Sequence, residues 1–385
     1  MAIGSFAIGT SEFVTMGLLP EIADGVAVSI PTAGSLITAY ALGVVVGAPL
    51  VAAFGARAPR RALLVGLMAI YALANGATAL APSYLGVTAG RFVAGLPHGA
   101  YFGVASLVAA SLAAPHRRAK AVSSVMLGLW MANVFGVPAA TWLGQNASWR
   151  AVYLLIGAVA LLGVAAMLWC VPPSPGQPGA TVRSELSALR KPQVLLTLLL
   201  GTVGFGGMFA MYTYIAPTVV QGGDTPRAAV PLVLAAFGVG GIAGSFVAGK
   251  AVDRAVLPTM AVGLVALAGS LALFTWTAQW QIPALLTVFA ASVTGTVLVI
   301  GLQMRLMDVA GDAQTLGAAL NHGSLNVANA LGAWLGGLVI AAGWGWAAPS
   351  WVGVGLAAVG LAVLAWSVAL QRRTDRVPAA AGSAS

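Results

Sequence analysis

The sequence predicts an all-α, polytopic membrane protein in which twelve transmembrane helices form two pseudo-symmetric six-helix bundles. Three observations predict this fold: a scarcity of charged residues, twelve long apolar stretches and an internal repeat. Only 7% of the 385 residues are charged, whereas a soluble globular domain carries about a quarter. Because water could not solvate so uncharged a surface, most of the outside must face lipid.

The twelve apolar stretches are each close to the length of about 20 residues that a helix needs to cross a bilayer. Transmembrane β-strands are not expected, because the stretches are too long and do not alternate apolar and polar residues. The predicted helices lie at residues 2–22, 33–54, 62–82, 85–111, 119–142, 150–171, 194–219, 229–252, 258–278, 282–304, 315–341 and 349–370.

The basic residues lie mostly on one side of the predicted membrane. They follow the even-numbered stretches, and only Arg150 and Arg227 fall on the opposite side. Cytoplasmic loops carry such an excess of positive charge, so both termini are expected in the cytoplasm. The net charge of +9 therefore reflects orientation in the membrane, and nucleic-acid binding is not expected.

The two halves of the sequence resemble each other. Gly43 recurs as Gly240 at an offset of 197 residues (240 − 43), and Asn133 recurs as Asn329 at an offset of 196 (329 − 133). Duplicated six-helix units are typical of transporters, whose substrate site lies at mid-membrane between the halves. We predict an N-terminal half at 1–171, a proline-rich cytoplasmic linker at 172–193, a C-terminal half at 194–371 and a disordered cytoplasmic tail at 372–385.

Four segments carry motifs, in the first, fourth and fifth stretches and in the loop after the eighth. They read Gly9-Thr10-Ser11-Glu12-Phe13, Gly90-Arg91-Phe92-Val93-Ala94-Gly95, Gly128 through Ala132-Asn133 to Gly136-Val137-Pro138, and Gly249-Lys250-Ala251-Val252-Asp253-Arg254. Together they resemble the major facilitator superfamily. Within it, the chain is similar to the twelve-helix drug:proton antiporter branch, which includes bacterial sugar-efflux and chloramphenicol-resistance permeases. The resemblance covers nearly the whole chain and implies a carrier of the bacterial plasma (inner) membrane.

The resemblance also implies roles for two groups of residues. An antiporter motif that bends the fifth helix and limits leak would comprise Gly128, Asn133, Gly136 and Pro138. A cytoplasmic gating loop, present once in each half, would comprise Arg57, Arg60, Arg61, Gly249, Asp253 and Arg254. Ala56 stands where the family usually has Asp, so the resemblance leaves the gate contacts of the first half unassigned.

Glu12 is the only acidic residue in the core of a predicted helix. A charged residue at the membrane centre costs at least about 2.5 kcal/mol, which favours a functional role. We predict that Glu12 and Arg91 couple transport to protons. Burial would let Glu12 bind and release a proton near neutral pH, and the resemblance implies that Arg91 relays protons or tunes the carboxylate. Alternatively, Glu12 is a neutral carboxyl hydrogen-bonded between helices or lies near the outer face, and Arg91 extends to the outer interface.

Aromatic, histidine and amide side chains are expected to line the substrate cavity. Phe209 stands opposite Glu12 at the repeat offset, and an aromatic wall suits a flat or amphipathic substrate. Core packing, lipid contact or hydrogen bonds between helices would explain the same residue types. The predicted cavity residues are Met16, His98, Phe102, Trp130, Met208, Phe209, Tyr212, Asn321, His322 and Asn326.

The function expected from these features is proton-coupled export of a small organic molecule, such as a chloramphenicol-like antibiotic, by alternating access. Efflux of a sugar, a nucleoside or another metabolite is the alternative. A channel is disfavoured by the repeat and the lone carboxylate, and a membrane-embedded enzyme by the lack of a nucleophile with a base or of a metal site. The sequence has no nucleotide-binding loop and no metal-ligating cluster, so we expect the proton gradient to supply the energy, without a cofactor. The expected partners are the substrate, protons and lipid, and we expect a monomer.

Overall fold

The computed structural model describes residues 1–55, 58–114, 118–173, 191–310 and 314–376. Throughout these ranges the regular structure is helical, with no strand. The helices are α1 (Ala2–Gly17), α2 (Leu19–Gly25), α3 (Ile30–Gly55), α4 (Arg60–Leu80), α5 (Tyr84–Leu112), α6 (Arg118–Met131), α7 (Val137–Asn146), α8 (Trp149–Cys170), α9 (Pro192–Thr213), α10 (Ile215–Gln221), α11 (Val230–Val252), α12 (Val256–Thr277), α13 (Gln281–Ala310), α14 (Gln314–Ala341) and α15 (Ala348–Arg376).

Counted with α5, the described ranges hold twelve helical segments long enough to cross a bilayer. Ten helices are long and apolar enough to cross a bilayer, and the bent pair α1–α2 is an eleventh candidate. The remaining span is α5, whose 29 residues exceed the length of about 20 that crossing requires. Large apolar side chains are exposed around the outside, including Leu73 at 73% and Trp169 at 90%. Such a surface is expected of a protein solvated by lipid.

The first and seventh spans, predicted as single stretches at 2–22 and 194–219, are each broken into two helices. The chain bends by 75° between α1 and α2. The two break residues, Leu18 and Tyr214, have nearly the same backbone angles, with φ of −109° and −107°. Pro20 and Pro217 follow the breaks, and neither can donate the backbone hydrogen bond that would continue the preceding helix. The duplicated halves therefore share a local distortion as well as a helix order.

A π-helical segment at Ala132–Gly136 separates α6 from α7 in the fifth span. Pro138 occupies the first turn of α7, and its missing N–H leaves a carbonyl of the preceding turn without its usual partner. Such π segments are wider than an α-helix and often mark functional positions. The irregularity lies where the antiporter motif was predicted to bend the helix.

The two halves repeat the same packing pattern. In the N-terminal half α3 packs on α5, α4 on α5 and α8, and α1 on α6 and α8. The corresponding pairs in the C-terminal half are α11 with α13, α12 with α13 and α15, and α9 with α14 and α15. Contacts between the halves are concentrated where α14 meets α3 and where α11 meets α7 and the π segment. Most of the predicted linker, residues 174–190, and the tail beyond Arg376 lie outside the described residues.

Candidate functional site

Arg91 lies inside the N-terminal half, on α5. The residue is 1% exposed, so it does not extend to the membrane interface. Its Nη1 donates a hydrogen bond of 2.8 Å to Ser11 Oγ, which in turn donates one of 2.8 Å to Asn75 Oδ1. The guanidinium carbon lies 4.2 Å from the centre of the Tyr40 ring, a distance at which a cation is attracted to the ring face. Nε and Nη2 of Arg91 are buried without a hydrogen-bond partner among the described residues.

Ring contacts lead from Tyr40 to the C-terminal half. The Tyr40 hydroxyl lies 3.0 Å from His98 Nδ1, and the His98 ring packs 5.4 Å from Phe102. Phe102 in turn stacks on His322 of α14, with ring centroids 6.2 Å apart and an interplanar angle of 3°. The structure therefore brings together three predicted cavity residues, His98, Phe102 and His322, at the interface between the halves.

Glu12 follows Ser11 on α1 and is 8% exposed. Within the described parts of the chain its carboxyl has no hydrogen bond and no ion pair, so it is not a hydrogen-bonded link between helices in this conformation. The next residue, Phe13, packs edge-on against Tyr212 of α9, with ring centroids 6.0 Å apart. That contact places this turn of α1 beside the C-terminal half. Glu12 adjoins Ser11, the hydrogen-bond partner of Arg91, although no ion pair joins Glu12 and Arg91 within the described ranges.

A second aromatic group surrounds Tyr212. Its ring stacks on Phe237 of α11, with centroids 4.0 Å apart and an interplanar angle of 27°. Phe209, one turn earlier on α9, packs edge-on against Phe205 at 5.3 Å. Tyr212 therefore contacts helices of both halves, whereas the ring contact of Phe209 stays within α9.

The remaining apolar residues predicted for the cavity differ in their surroundings. Met16 is fully buried in α1, and Met208 packs against Gly295 of α13. Trp130 of α6 lies against Gly241 of α11, which makes it a contact between the halves.

Helix α14 carries buried amide atoms that have no hydrogen-bond partner among the described residues. Asn326 Nδ2 donates to the His322 carbonyl oxygen at 2.9 Å, but its Oδ1 accepts no hydrogen bond. Oδ1 of Asn321 and both amide atoms of Asn329 are likewise buried and unpartnered. Each such group costs about 1–3 kcal/mol when left unsatisfied. Unlike the packed apolar core, this helix holds unused hydrogen-bonding capacity.

The antiporter motif packs tightly against α1. A Cβ atom at Gly128 would overlap the Ala2 carbonyl oxygen, and one at Gly136 would overlap the Thr10 hydroxyl. Asn133, inside the π segment, is buried and its Oδ1 has no partner. The glycines thus permit close contact between the first and fifth spans, and the role of the motif in limiting leak stays a prediction.

The predicted gating loops are only partly described. Arg57 lies outside the described residues. Arg61 donates a hydrogen bond to the Leu168 carbonyl oxygen of α8. Asp253 and Arg254 follow α11 and are exposed, and no side-chain hydrogen bond or ion pair of theirs occurs within the described ranges.

One ion pair joins the two halves. Arg227, between α10 and α11, donates from Nε and Nη2 to Glu21 Oε1 of α2 at 2.8 and 2.7 Å. Gln145 of α7 adds a hydrogen bond of 3.2 Å to the Arg227 carbonyl oxygen. A cavity of about 140 Å³ beside this pair is lined by residues of both halves, including Asp24 and Val220. This end of the bundle is therefore closed by polar contacts.

Sequence reasoning missed the polar side chains around Arg91, namely Ser11, Asn75 and Tyr40. It also missed Tyr153, whose hydroxyl hydrogen-bonds Thr15 at 2.7 Å and whose ring centre lies 5.5 Å from the guanidinium. The available signal for Ser11 was its place beside Glu12 in the first motif. A tyrosine in an apolar helix carries no comparable signal, because packing and function use it equally well.

The fold and the site define a class of protein: a polytopic membrane carrier built from two related six-helix halves, with ionisable residues enclosed between its helices. The family model of the Major Facilitator Superfamily matches residues 1–225. The chain belongs to this superfamily of transporters.

Several related proteins align with nearly the whole chain. Inner membrane transport protein YdhP of Escherichia coli (strain K12) is 40% identical over 378 residues, which cover 98% of this chain and 96% of that protein. A chloramphenicol resistance protein of Streptomyces lividans is 34% identical over 94% of each chain. A probable sugar efflux transporter of Helicobacter pylori (strain G27) is 29% identical, covering 88% of this chain and 87% of its own.

A solved structure supports the fold. The crystal structure of a D-xylose-proton symporter aligns with a TM-score of 0.73 at 18% identity, covering 94% of this chain and 95% of its own. The predicted fold class and family are thus confirmed, and the chain is a membrane transporter of small molecules.

Proposed function

We propose that this protein exports a small organic molecule in exchange for protons, by alternating access between its two halves. Glu12 carries this proposal. It is an enclosed carboxyl without a hydrogen bond in the described parts of the chain, next to Ser11, the hydrogen-bond partner of Arg91, and at the turn of α1 that contacts α9. Burial disfavours a charged carboxylate and a nearby cation favours it, so the site can change between two protonation states.

Coupling follows if protonation and substrate binding favour opposite conformations. When Glu12 is neutral, Arg91 has no counter-charge nearby. When Glu12 is charged, the pair is balanced. A change in charge at the contact between α1 and α9 alters the free energy of bringing the halves together there. Rocking of the halves around a central site is the motion expected of a duplicated carrier.

Two classes of substrate are candidates, because one relative is described as a chloramphenicol resistance protein and another as a probable sugar efflux transporter. We place an antibiotic of the chloramphenicol type first, since that relative shares the higher identity. A sugar, nucleoside or other metabolite is the second candidate.

The experiment measures export of radiolabelled chloramphenicol, arabinose and nucleosides from a pump-deficient bacterial host, with and without a protonophore. Wild type should export one of these probes only while a proton gradient is present. Glu12→Gln should abolish gradient-driven export, because the amide has nearly the same size but cannot take up a proton. Asp224→Asn, the same chemical change at an exposed loop residue, should export normally. Full active export by the Glu12→Gln protein would refute the assignment.

We further infer that both termini lie in the cytoplasm of a bacterial inner membrane. The basic residues of the even-numbered loops support this orientation. A phosphatase that is active only in the periplasm should be inactive when it is fused after Ser385. It should also be inactive when it is fused within the segment between α8 and α9. Phosphatase activity of either fusion would mean that the orientation is the opposite one.

A further inference from the structure

We infer that one face of α14, formed by His322, Asn326 and Asn329, binds the hydroxyl or amide groups of an uncharged substrate. This inference rests on the proposed function, and it names the substrate class and the residues that select it. Positions 322, 326 and 329 are separated by four and three residues, so the three side chains share one face of the helix.

The direction of this face follows from a contact between the halves. The His322 ring stacks on Phe102 of α5, which belongs to the N-terminal half. The face that carries His322 is therefore turned across the interface, where the substrate site of a duplicated carrier lies. Asn321 points elsewhere on the helix, so it does not belong to this face.

The hydrogen-bonding state of the two asparagines points to a missing partner. Asn329 is 1% exposed and neither its Oδ1 nor its Nδ2 has a partner, while Asn326 is 6% exposed with an unpartnered Oδ1. Together they offer two unpartnered acceptor oxygens and one unpartnered amide nitrogen, which carries two N–H donors. A hydroxyl group both donates and accepts, so it matches this set, as does an amide. Buried amides left without partners are rare in packed cores, and a bound substrate would satisfy them.

The charges of the neighbourhood favour an uncharged substrate. The buried charged residues of the described chain are Glu12, Arg91 and Arg305. Glu12 follows Ser11, whose hydroxyl accepts a hydrogen bond from Arg91, and Arg305 Nη2 donates to the amide oxygens of Gln193 and Gln371 at 3.1 and 2.7 Å. No carboxylate or guanidinium lies on the α14 face itself, so a charged ligand would have no counter-charge there. The N-terminal half would thus handle the proton, and α14 the neutral substrate.

The test measures substrate exchange in proteoliposomes without a proton gradient. The exchange rate then depends on substrate binding and on the rocking of the halves, but not on coupling to protons. The probes are chloramphenicol, L-arabinose and uridine, which are uncharged and carry hydroxyl groups, and tetraphenylphosphonium, a cation without any. Wild type should exchange at least one uncharged probe with saturable kinetics. Asn326→Leu and Asn329→Leu should each raise the half-saturating concentration of that probe at least tenfold.

Thermal unfolding separates this role from a structural one. Leucine fills nearly the same volume and removes an unsatisfied amide, so the unfolding temperature of both variants should stay the same or rise. Asn146→Leu, the same change at an exposed amide at the end of α7, should leave exchange unchanged.

Three results would overturn the inference: unchanged half-saturation in both α14 variants, a lowered unfolding temperature in both, or exchange of tetraphenylphosphonium alone. The last of these leaves proton-coupled export intact, because a cation can still be driven by the gradient. Conversely, if Glu12→Gln keeps gradient-driven export while the α14 variants lose affinity, the proton assignment fails and the inference stands.

Discussion

At the scale of single residues, the chemistry of this carrier depends on how a few polar side chains are held inside an apolar bundle. Arg91 illustrates the point, because its position is fixed by geometry as well as by charge. One hydrogen bond reaches Ser11 and the flat guanidinium lies over the Tyr40 ring. A lysine ammonium would carry the same charge, but it has no planar group that could lie over the Tyr40 ring.

We therefore expect Arg91→Lys to reduce proton-driven export about tenfold or more, since hydrogen bonds to charged groups contribute about 1.5–3 kcal/mol. Arg150→Lys is the matched control. Arg150 also lies over an aromatic ring, that of Trp149 at 4.3 Å, and donates to two backbone carbonyl oxygens, but at the end of the bundle. Export rates in everted vesicles at equal expression provide the measurement. An equal loss in both variants would mean that arginine at position 91 serves only packing.

At the scale of helices, close approach between α3 and α5 depends on small residues. A Cβ atom at Gly43 would overlap the Phe92 carbonyl oxygen, and one at Gly47 would overlap that of Leu96. By contrast, nothing lies within 4 Å of the Cβ position of Gly66 on α4. Two glycines four residues apart are typical of such a close helix interface, but the spacing does not indicate which helix is the neighbour.

Gly47→Ala should lower stability by about 1–3 kcal/mol, because the added methyl group must push two backbones apart. Gly66→Ala should be neutral or slightly stabilising, since alanine favours helix and meets no neighbour. Thermal unfolding of the two purified variants in detergent compares them directly. If both changed the unfolding temperature equally, backbone contact between α3 and α5 would not limit stability.

The sequence allowed the number of spans and their approximate limits to be predicted, because apolar length and rare charge are local signals, whereas the coupling role of Glu12 and Arg91 stays a prediction. The breaks at Leu18 and Tyr214 were not predicted, since a proline near the end of an apolar stretch is equally compatible with the end of a helix. The surroundings of Arg91 were not predicted either. They come from α1, α3, α4 and α8, and only the folded bundle brings side chains from four helices together.

Across the molecule, polar side-chain contacts join the two halves at one end of the bundle. The ion pair between Glu21 and Arg227 and the hydrogen bond from Gln145 join them at the end formed by α2 and the loop between α10 and α11. Under the proposed alternating access this end would have to open, so these contacts would break once in each transport cycle. They should therefore bias the resting protein towards the conformation that is closed at this end.

We expect Glu21→Gln and Arg227→Gln to shift the equilibrium towards opening at this end. Arg227 is 58% exposed at its side chain, so the pair is partly screened by solvent. Such pairs contribute about 0.2–1 kcal/mol, which corresponds to at most about a fivefold change in population. The exposed Cys170 is first replaced by serine, and Val220→Cys then reports on access to the cavity between the halves.

Labelling of that cysteine by a membrane-impermeant maleimide should be up to about fivefold faster in either single variant. It should return towards the original rate when the charges are exchanged by combining Glu21→Arg with Arg227→Glu, because attraction is restored with the signs reversed. Arg150→Gln removes hydrogen bonds to carbonyl oxygens of the same half, so labelling should be unchanged. Equal labelling in all variants would mean that the helix contacts between the halves hold this end closed without the ion pair.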